Sequence, residues 1–452
     1  MKVALLRPSY HTHLITPPLG LGYLSSYLQK SGVETVIIDA LNLGLTPSEA
    51  ARAAAGCDLA GIYFMTDHME EAIGLALEIK KKGIPVVMGG PHATALPEKT
   101  LRMTSADGIV LGEGEETLGE LITELKTRDI KDISIPGFFR SGMAQDKVIL
   151  RDLIDDLDSI PFPDWAQMNP ANYMNAPHGG LIKNLPAAPV ITSRGCSHRC
   201  VFCASPSMWR HTIRYRNPEK VLDEIAYLVN EFKVKEIHFE DDNITGRRDH
   251  LETICRGIVD RGIKISWCCP NGVRAENLQD IEIFRLMKRS GCYMIAFGIE
   301  SASHDILSAA RKGASLDDIN RAVGYADSQG IITQGFFIFG LPGESEITVK
   351  ETIDFASKSR LKRAQFLFLD ILPGSGMWEK YSSEIISDPE RRSFQSVRWV
   401  PDTIKEAALQ KAIKKAFFRF YLKPARLAGL LRFFRVSQIK YIIRRLRDFG
   451  IV

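Results

Sequence analysis

The first 126 residues alternate short apolar runs with stretches whose apolar positions recur every three or four residues. Val3–Leu6, Thr35–Ile38, Leu59–Phe64, Val86–Met88 and Ile109–Leu111 read as buried strands, and Leu19–Lys30, Pro47–Ala55, Met69–Lys82, Pro97–Met103 and Glu115–Lys126 as helices. Five strands alternating with five helices predict a doubly wound parallel sheet. The loops at its strand ends carry Pro17-Pro18-Leu-Gly-Leu-Gly22, Thr66-Asp67-His68, Gly89-Gly90-Pro91-His92 and Gly112-Glu113-Gly114-Glu115. In such sheets a ligand sits beyond the carboxyl ends of the strands, where glycine lets it approach the backbone. No Gly-x-Gly-x-x-Gly follows the first strand, which counts against a nicotinamide or flavin dinucleotide and points to another large cofactor.

From about Lys131 to Pro189 the chain turns rich in Pro, Asp and Asn, the composition of a linker that wraps surfaces. A second alternation then starts at Pro189–Thr192, with strands near Glu236–Glu240, Lys264–Cys269, Tyr293–Ile299, Thr333–Phe339 and Ala364–Leu372. Helices near Pro218–Phe232, Asp249–Arg261, Leu278–Ser290, Leu316–Gln329 and Glu344–Ser359 separate them. Six βα units make a partial relative of the eightfold barrel, with its chemistry at the carboxyl ends of the strands. A helical region from Thr403, punctuated by Pro424, ends the sequence. The expected organisation is a first α/β domain over 1–130, a linker over 131–188, a partial barrel over 189–385 and a basic helical region over 386–452.

The chain has 452 residues, enough for two or three domains with real cores. Its opening Met-Lys-Val-Ala-Leu-Leu-Arg breaks the apolar run after four residues, short of a signal peptide, and no run reaches the length of a membrane span. A cytoplasmic location is the expectation. The net charge of +4 is uneven: from Lys411 onward twelve Lys/Arg face one acid, Asp448, so that stretch carries +11 and the remainder −7.

Three of the eight cysteines crowd into Cys196-Ser-His-Arg-Cys200-Val-Phe-Cys203, directly after the first strand of the second alternation. The others, at 57, 255, 268, 269 and 292, are scattered, so reduced thiols or metal ligands fit better than a disulfide framework. Structural zinc wants four ligands, usually from two short-spaced pairs, and no second pair follows. Cys268 and Cys269 are adjacent in a predicted strand and point to opposite faces; His198 lies inside the cysteine loop and His211 reads as a surface histidine. Iron–sulfur clusters ordinarily take four thiolates; three would leave one iron open to a reagent.

With the aromatic Phe202 before the last cysteine, this spacing resembles the radical S-adenosylmethionine superfamily. The wider "ITSRGCSHRCVFC" is similar to the branch with an amino-terminal cobalamin domain, which includes the anaerobic magnesium-protoporphyrin ester cyclase and many cobalamin-dependent radical methylases. The resemblance spans nearly the whole chain, through "PPLGLGYL" at 17–24, "GGPHAT" at 89–94, "GEGE" at 112–115, "HFEDDNIT" at 238–245, "GIESAS" at 298–303 and "FGLPGES" at 339–345.

The resemblance implies that Cys196, Cys200 and Cys203 hold a [4Fe–4S] cluster whose open iron binds S-adenosylmethionine and reduces it to methionine and a 5′-deoxyadenosyl radical. It implies cofactor contacts for Phe202, Glu240, Asp241, Asn271, Arg274, Glu300, Ser301 and Gly340 in the barrel, and for Thr66, Gly89, Gly90, Gly112 and Glu113 around cobalamin. Acidic loops, surface turns and glycine turns also occur without ligands, and any doubly wound domain puts small residues at its strand ends. No Asp-x-His-x-x-Gly stands in the first βα loop, where His11 and His13 lack that frame, so the lower face of cobalt is expected to go without a protein ligand.

The implied activity is methyl transfer to an unactivated carbon of a small natural product or lipid-like molecule. The implied partner is a reductase or a flavodoxin- or ferredoxin-type electron donor, and the chain is expected to be a monomer. A radical cyclase or oxidative rearrangement is the rival enzyme, and a non-catalytic corrinoid or iron–sulfur sensor or electron carrier the rival of another class. The basic tail, with aromatics and leucines at helical intervals, reads first as a packing helix with a solvated cationic face, second as a peripheral membrane contact. Nucleic acid is disfavoured because the −7 remainder offers no basic track.

Overall fold

The computed structural model describes residues 1–12, 14–144, 148–173, 182–385 and 396–431, with 433, 439, 443 and 447. It divides into two units, Met1–Asn172 with Ala204–Arg210, and Tyr173–Cys203 with His211–Val452.

In the first unit, β1 (Lys2–Arg7), β2 (Glu34–Asp39), β3 (Leu59–Tyr63), β4 (Val86–Gly89), β5 (Gly108–Val110) and β6 (Phe138–Arg140) form one sheet in the order β2-β1-β3-β4-β5-β6. The first five are parallel, as the alternation with helices predicts, and β6 joins antiparallel. Successive residues of a strand face opposite sides. Val3 and Leu5 therefore enter one core with Leu21, Leu28 and Leu118, while Ala4 and Leu6 enter the other with Ala72, Leu75 and Ile79. Helices on both faces explain why these strands read as unbroken apolar runs.

The stretch expected to be a linker splits between the units. Residues as far as Asn172 group with the first unit, because β6 pairs with β5 and the following coil is bonded to the helix Leu19–Lys30 and to β2. Gln167 accepts from the Ile37 N–H at 2.8 Å and donates to the Thr35 carbonyl at 3.3 Å, covering the edge of β2. Three-residue β6 is too short to show a period in the sequence.

The second unit holds β7 (Ala187–Val190), a small antiparallel pair β8 (Ser193–Gly195) and β9 (Ile213–Tyr215), then β10 (Glu236–Phe239), β11 (Ser266–Val273), β12 (Cys292–Glu300), β13 (Ile332–Phe339) and β14 (Arg363–Phe368). The large sheet is parallel and open, in the order β14-β13-β12-β11-β10-β7, the six-unit partial barrel that was expected. Five helices return between its strands, at Pro218–Phe232, Arg248–Asp260, Ile281–Arg289, Leu316–Ser328 and Glu346–Lys358. Asn217, Asp280, Ser315 and Ser345 cap four of them by accepting from backbone N–H groups of the first turn. The register slips between Cys269 and Val273 and again between Gly298 and Glu300, both at the carboxyl ends of strands. Bulges there re-aim side chains.

The described part of the basic tail is a packing element. Helix Glu406–Tyr421 buries Leu409, Ala412, Ile413, Ala416 and Phe420 against helix Glu346–Lys358 and β14. The Tyr421 hydroxyl bonds both the N–H and the carbonyl of Ala364. Arg426, 7 % exposed, donates to the carbonyls of Ala356, Ser357, Ser359, Leu361 and Phe420. It thereby satisfies the end of helix Glu346–Lys358, whose last carbonyls have no helical partner. Most of the cations beyond Leu431 lie outside the described residues. Among the described residues no helix is long and apolar enough to cross a membrane.

Arg426→Ala removes the guanidinium from all five carbonyls, of which those of Ala356 and Ser357 keep the Ser359 hydroxyl and Lys423 Nζ, and is expected to cost about 2–4 kcal/mol. A urea titration followed by circular dichroism should show an earlier midpoint; a variant that unfolds with the parent would refute this account of the tail.

Candidate active site

The cysteine loop leaves the end of β7 and is gripped at its root. β8 pairs with β9 through Ser193↔Tyr215, Arg194↔Arg214 and Gly195↔Ile213. The Asp241 carboxylate, at the end of β10, accepts through Oδ1 from the Thr192 N–H at 3.0 Å, the Thr192 hydroxyl at 2.8 Å and the Ser193 hydroxyl at 2.6 Å. Asp242 accepts from the Gly195 N–H at 3.1 Å, where a φ of 95° calls for glycine. Further along, the Val201 N–H donates to the Ala310 carbonyl, and the Val201 carbonyl accepts from the Met377 N–H.

Cys196, Cys200 and Cys203 are half-buried free thiols on this loop, whereas the other five cysteines are fully buried elsewhere. Burial pushes the Cys196 thiol up, against a backbone hydrogen bond from His198. Phe202 packs with Val201 onto an apolar cluster of Ile306, Leu341, Leu369 and Met377. Its place is that of a wedge beneath the loop.

Arg274, 6 % exposed, follows β11 and places a guanidinium nitrogen 3.9 Å from Cys200 Sγ. It is held by Glu276 and by the Lys312 carbonyl. Glu300, at the end of β12, has a φ of 66°, a left-handed conformation uncommon outside glycine, and accepts from Lys312 Nζ at 2.9 Å. Burial works against the Lys312 charge, yet the Glu300 carboxylate and the Cys200 thiol outweigh it and hold the ammonium pKa above the usual lysine value. Lys312 was not legible in advance, since nothing in its "RKG" context marks a buried ion pair twelve residues after a carboxylate.

The other expected residues divide. Glu240 and the exposed Asn271 meet at 2.6 Å across neighbouring strand ends. Asp241 is enclosed at 4 % exposure, and burial pushes its carboxyl up to about 6 against the hydrogen bonds from Ser193 and Thr192. Ser301 is fully buried, bonded to Thr352 and to the Ser303 N–H, so its hydroxyl shapes the turn after β12. Gly340, with a φ of 93°, donates its N–H to the buried Glu344, whose carboxyl is pushed by burial up to about 7. The glycine turn is thus closed from within by a carboxylate.

At the strand ends of the first unit, Gly90 has a φ of 103°, and a Cβ there would stand 2.6 Å from the Phe64 carbonyl. Gly112, with a φ of 65°, faces open space, and its N–H is held by Thr94. Gly89 meets only the Val110 carbonyl within 4 Å of where a Cβ would stand. Thr66 bonds His92 Nδ1 at 3.0 Å, and Glu113 accepts from the Ile154 N–H at 2.9 Å. Burial, then Lys99 and His68, push the His92 imidazole down to about 4. His68 has both nitrogens bonded, to Asp67 and to the Met65 N–H, and its ring stacks on Tyr10. His11 is exposed; His13 lies outside the described residues.

One further set of ligand-type atoms, on Glu236, His238 and Cys268, lies within 4.8 Å of one another. It is a closed hydrogen-bond network: the Glu236 carboxylate binds the Tyr293 hydroxyl, His238, the Asn184 N–H and Ser266. The half-buried thiols beside Arg274 fit an iron–sulfur cluster, and the open glycine edges fit a broad ligand such as a corrin.

Glu344 generates a test. A carboxyl whose folded pKa lies above its unfolded value binds its proton more tightly when folded; its stabilisation is full below the ordinary glutamate value of 4.5 and disappears as pH rises through about 7. Urea midpoints of the wild type should therefore fall over this interval relative to Glu344→Gln; parallel pH profiles would contradict the raised value.

Residues 190–356 match the radical SAM superfamily and residues 11–122 the B12 binding domain. An uncharacterized methyltransferase of Pyrococcus horikoshii is 33 % identical over 90 % of this chain and 88 % of its own. Cytidylyl-2-hydroxyethylphosphonate methyltransferase of Streptomyces wedmorensis is 28 % identical over 87 % and 84 %, and the anaerobic magnesium-protoporphyrin IX monomethyl ester cyclase of Rubrivivax gelatinosus 26 % over 94 % and 78 %. The fold is shared with the radical S-adenosylmethionine methyltransferase TsrM from Kitasatospora setae, at a TM-score of 0.71 and 21 % identity over 85 % of this chain and 76 % of that one. The chain therefore belongs to the radical S-adenosylmethionine superfamily, in the group joined to a B12-binding domain, whose cofactors are a [4Fe–4S] cluster, S-adenosylmethionine and cobalamin.

Proposed function

We propose that this enzyme transfers a methyl group to an unactivated carbon of a small natural product or lipid-like molecule. The observation that carries the reading is the loop of three half-buried thiols, with every other cysteine buried elsewhere in the chain, which leaves one iron of a cluster without a thiolate. When bound, the cluster supplies the electron that splits S-adenosylmethionine, and cobalamin carries the methyl group. Cys196, Cys200 and Cys203 are the iron ligands. Arg274 and Lys312 offset the negative charge of the thiolates from one side. Glu300 keeps Lys312 in place, while Glu240 and Asn271 present polar groups at adjacent strand ends. Gly89 and Gly112 leave room for the corrin at the backbone of the first unit, Gly90 lets its own loop close on Phe64 and Tyr63, and Thr66 sets the His92 ring.

The methyltransferase names of two relatives favour methyl transfer; the cyclase relative favours a ring closure without it. Radical enzymes of this superfamily need a reductant, here proposed to be a flavodoxin- or ferredoxin-type donor acting on a monomer. Helix Glu406–Tyr421 packs one face within the second unit but Phe418, Leu422 and Leu427 are exposed, so a peripheral membrane contact would rest on these and on residues beyond Leu431; sedimentation with anionic vesicles is expected if it exists, and none by the full chain refutes it.

Reduced, reconstituted enzyme given methyl-labelled S-adenosylmethionine and a cell extract should label a product while forming S-adenosylhomocysteine and 5′-deoxyadenosine. Cys200→Ala should abolish 5′-deoxyadenosine. Deoxyadenosine with an unlabelled, ring-closed product would instead select the cyclase, and none from wild type would sink the enzyme reading. Both His68 nitrogens are bonded, so His68 is not expected to ligate cobalt; His92 is bound through Nδ1 and has a buried Nε2 with no hydrogen-bond partner, so the test includes it. The cob(II)alamin paramagnetic resonance spectrum should show no nitrogen splitting that His68→Ala or His92→Ala removes.

A further inference from the structure

We propose that Asp241 is a positioning residue: it pins the root of the cysteine loop to the barrel, so that the three thiols are spaced for a cluster before one is bound. The inference rests on the radical S-adenosylmethionine reading above and goes beyond it. An acid at the end of β10 invites the view that it meets the ammonium of S-adenosylmethionine. Its surroundings assign it otherwise.

Asp241 is 4 % exposed, and Oδ1 takes three donors, all from Thr192 and Ser193, which are themselves 0 % and 2 % exposed. Oδ1 is thereby committed to the loop root, whereas Oδ2 is buried with no hydrogen-bond partner, so the assignment is carried by Oδ1. The three bonds converge on Thr192, in the link after β7, and on Ser193, the first residue of β8, four and three positions before Cys196. The adjoining bonds act in the same place. Asp242 holds the Gly195 N–H, and Arg216 bonds the Ile191 carbonyl at 2.8 Å while paired at 2.6 Å with the fully buried Glu224. Downstream, Val201 is tied on both sides of its peptide to Ala310 and Met377. The loop is thus fixed at its root and between its second and third cysteines by groups that are not thiols. Among these, Asp241 accepts the most bonds on one atom, and hydrogen bonds to a carboxylate are the stronger kind.

The test uses the full chain in its apo and reconstituted forms. Hydrogen exchange of apo protein should show residues 192–203 opening faster by about tenfold or more in Asp241→Ala and less in Asp241→Asn, whose amide oxygen still accepts. On anaerobic reconstitution the iron content of Asp241→Ala should fall below half of wild type, with partial recovery in Asp241→Asn, and the KM for S-adenosylmethionine per loaded cluster should stay near wild type. If Asp241→Ala does not fold, Thr192→Val, which removes one of the three donors, takes its place in the same measurements. Unchanged exchange over 192–203 with a raised KM in Asp241→Asn would overturn the proposal in favour of a direct ligand contact. Unchanged exchange with unchanged iron would overturn it as well. A wild type that loads no cluster would sink the functional reading and leave the exchange result to stand alone.

Discussion

The proposed chemistry depends on holding three thiols on a loop that has almost no regular structure of its own. Between Gly195 and Ile213 the chain has only the short helix Ser205–Trp209, so its course must be imposed from outside. The grip comes from the strand ends of the barrel: carboxylates at the end of β10 on Thr192, Ser193 and Gly195, and backbone bonds from Ala310 and Met377 to Val201. A parallel barrel supplies such groups naturally, because the carboxyl ends of its strands lie side by side and each releases a loop there.

The second demand is electrostatic. Three thiolates cannot be held close together in a half-buried place without opposing charge. Arg274 provides it from the end of β11 and Lys312 from the turn after the short helix His304–Ala309 that follows β12, and each is locked by a carboxylate, Glu276 and Glu300. The left-handed φ at Glu300 and the register slips in β11 and β12 occur at these positions. Among the described non-glycine residues with positive φ, Glu300 is the one that ends a barrel strand, which puts a strained residue on the rim of an apolar scaffold.

The same division of labour holds in the first unit. Its strands are buried on both faces, and its irregular conformations gather in the loops beyond them, where Gly90 and Gly112 take positive φ values. Two histidines in these loops are bound within the unit, one by Asp67 and the Met65 N–H, the other by Thr66. Their imidazoles shape the loops, consistent with a first loop that lacks a histidine frame.

Sequence alone determined the two strand–helix alternations, the order of the domains and the cysteine spacing, because buried parallel strands and amphipathic helices leave periodic marks and a four-three cysteine interval is rare by chance. It also located the loops at which the site is built, since those follow from strand order. What each polar residue does there was decided by the tertiary structure. Glu240 and Asp241 are neighbours in sequence, yet one meets Asn271 at a strand end while the other is enclosed on Thr192 and Ser193. Lys312 carried no mark, Glu344 stood inside "FGLPGES" with no sign of its bond to Gly340, and β6 was too short to leave a period. A hydrogen bond or ion pair depends on which strand end folds beside which, and that adjacency comes from residues dozens of positions apart, beyond the reach of any local pattern.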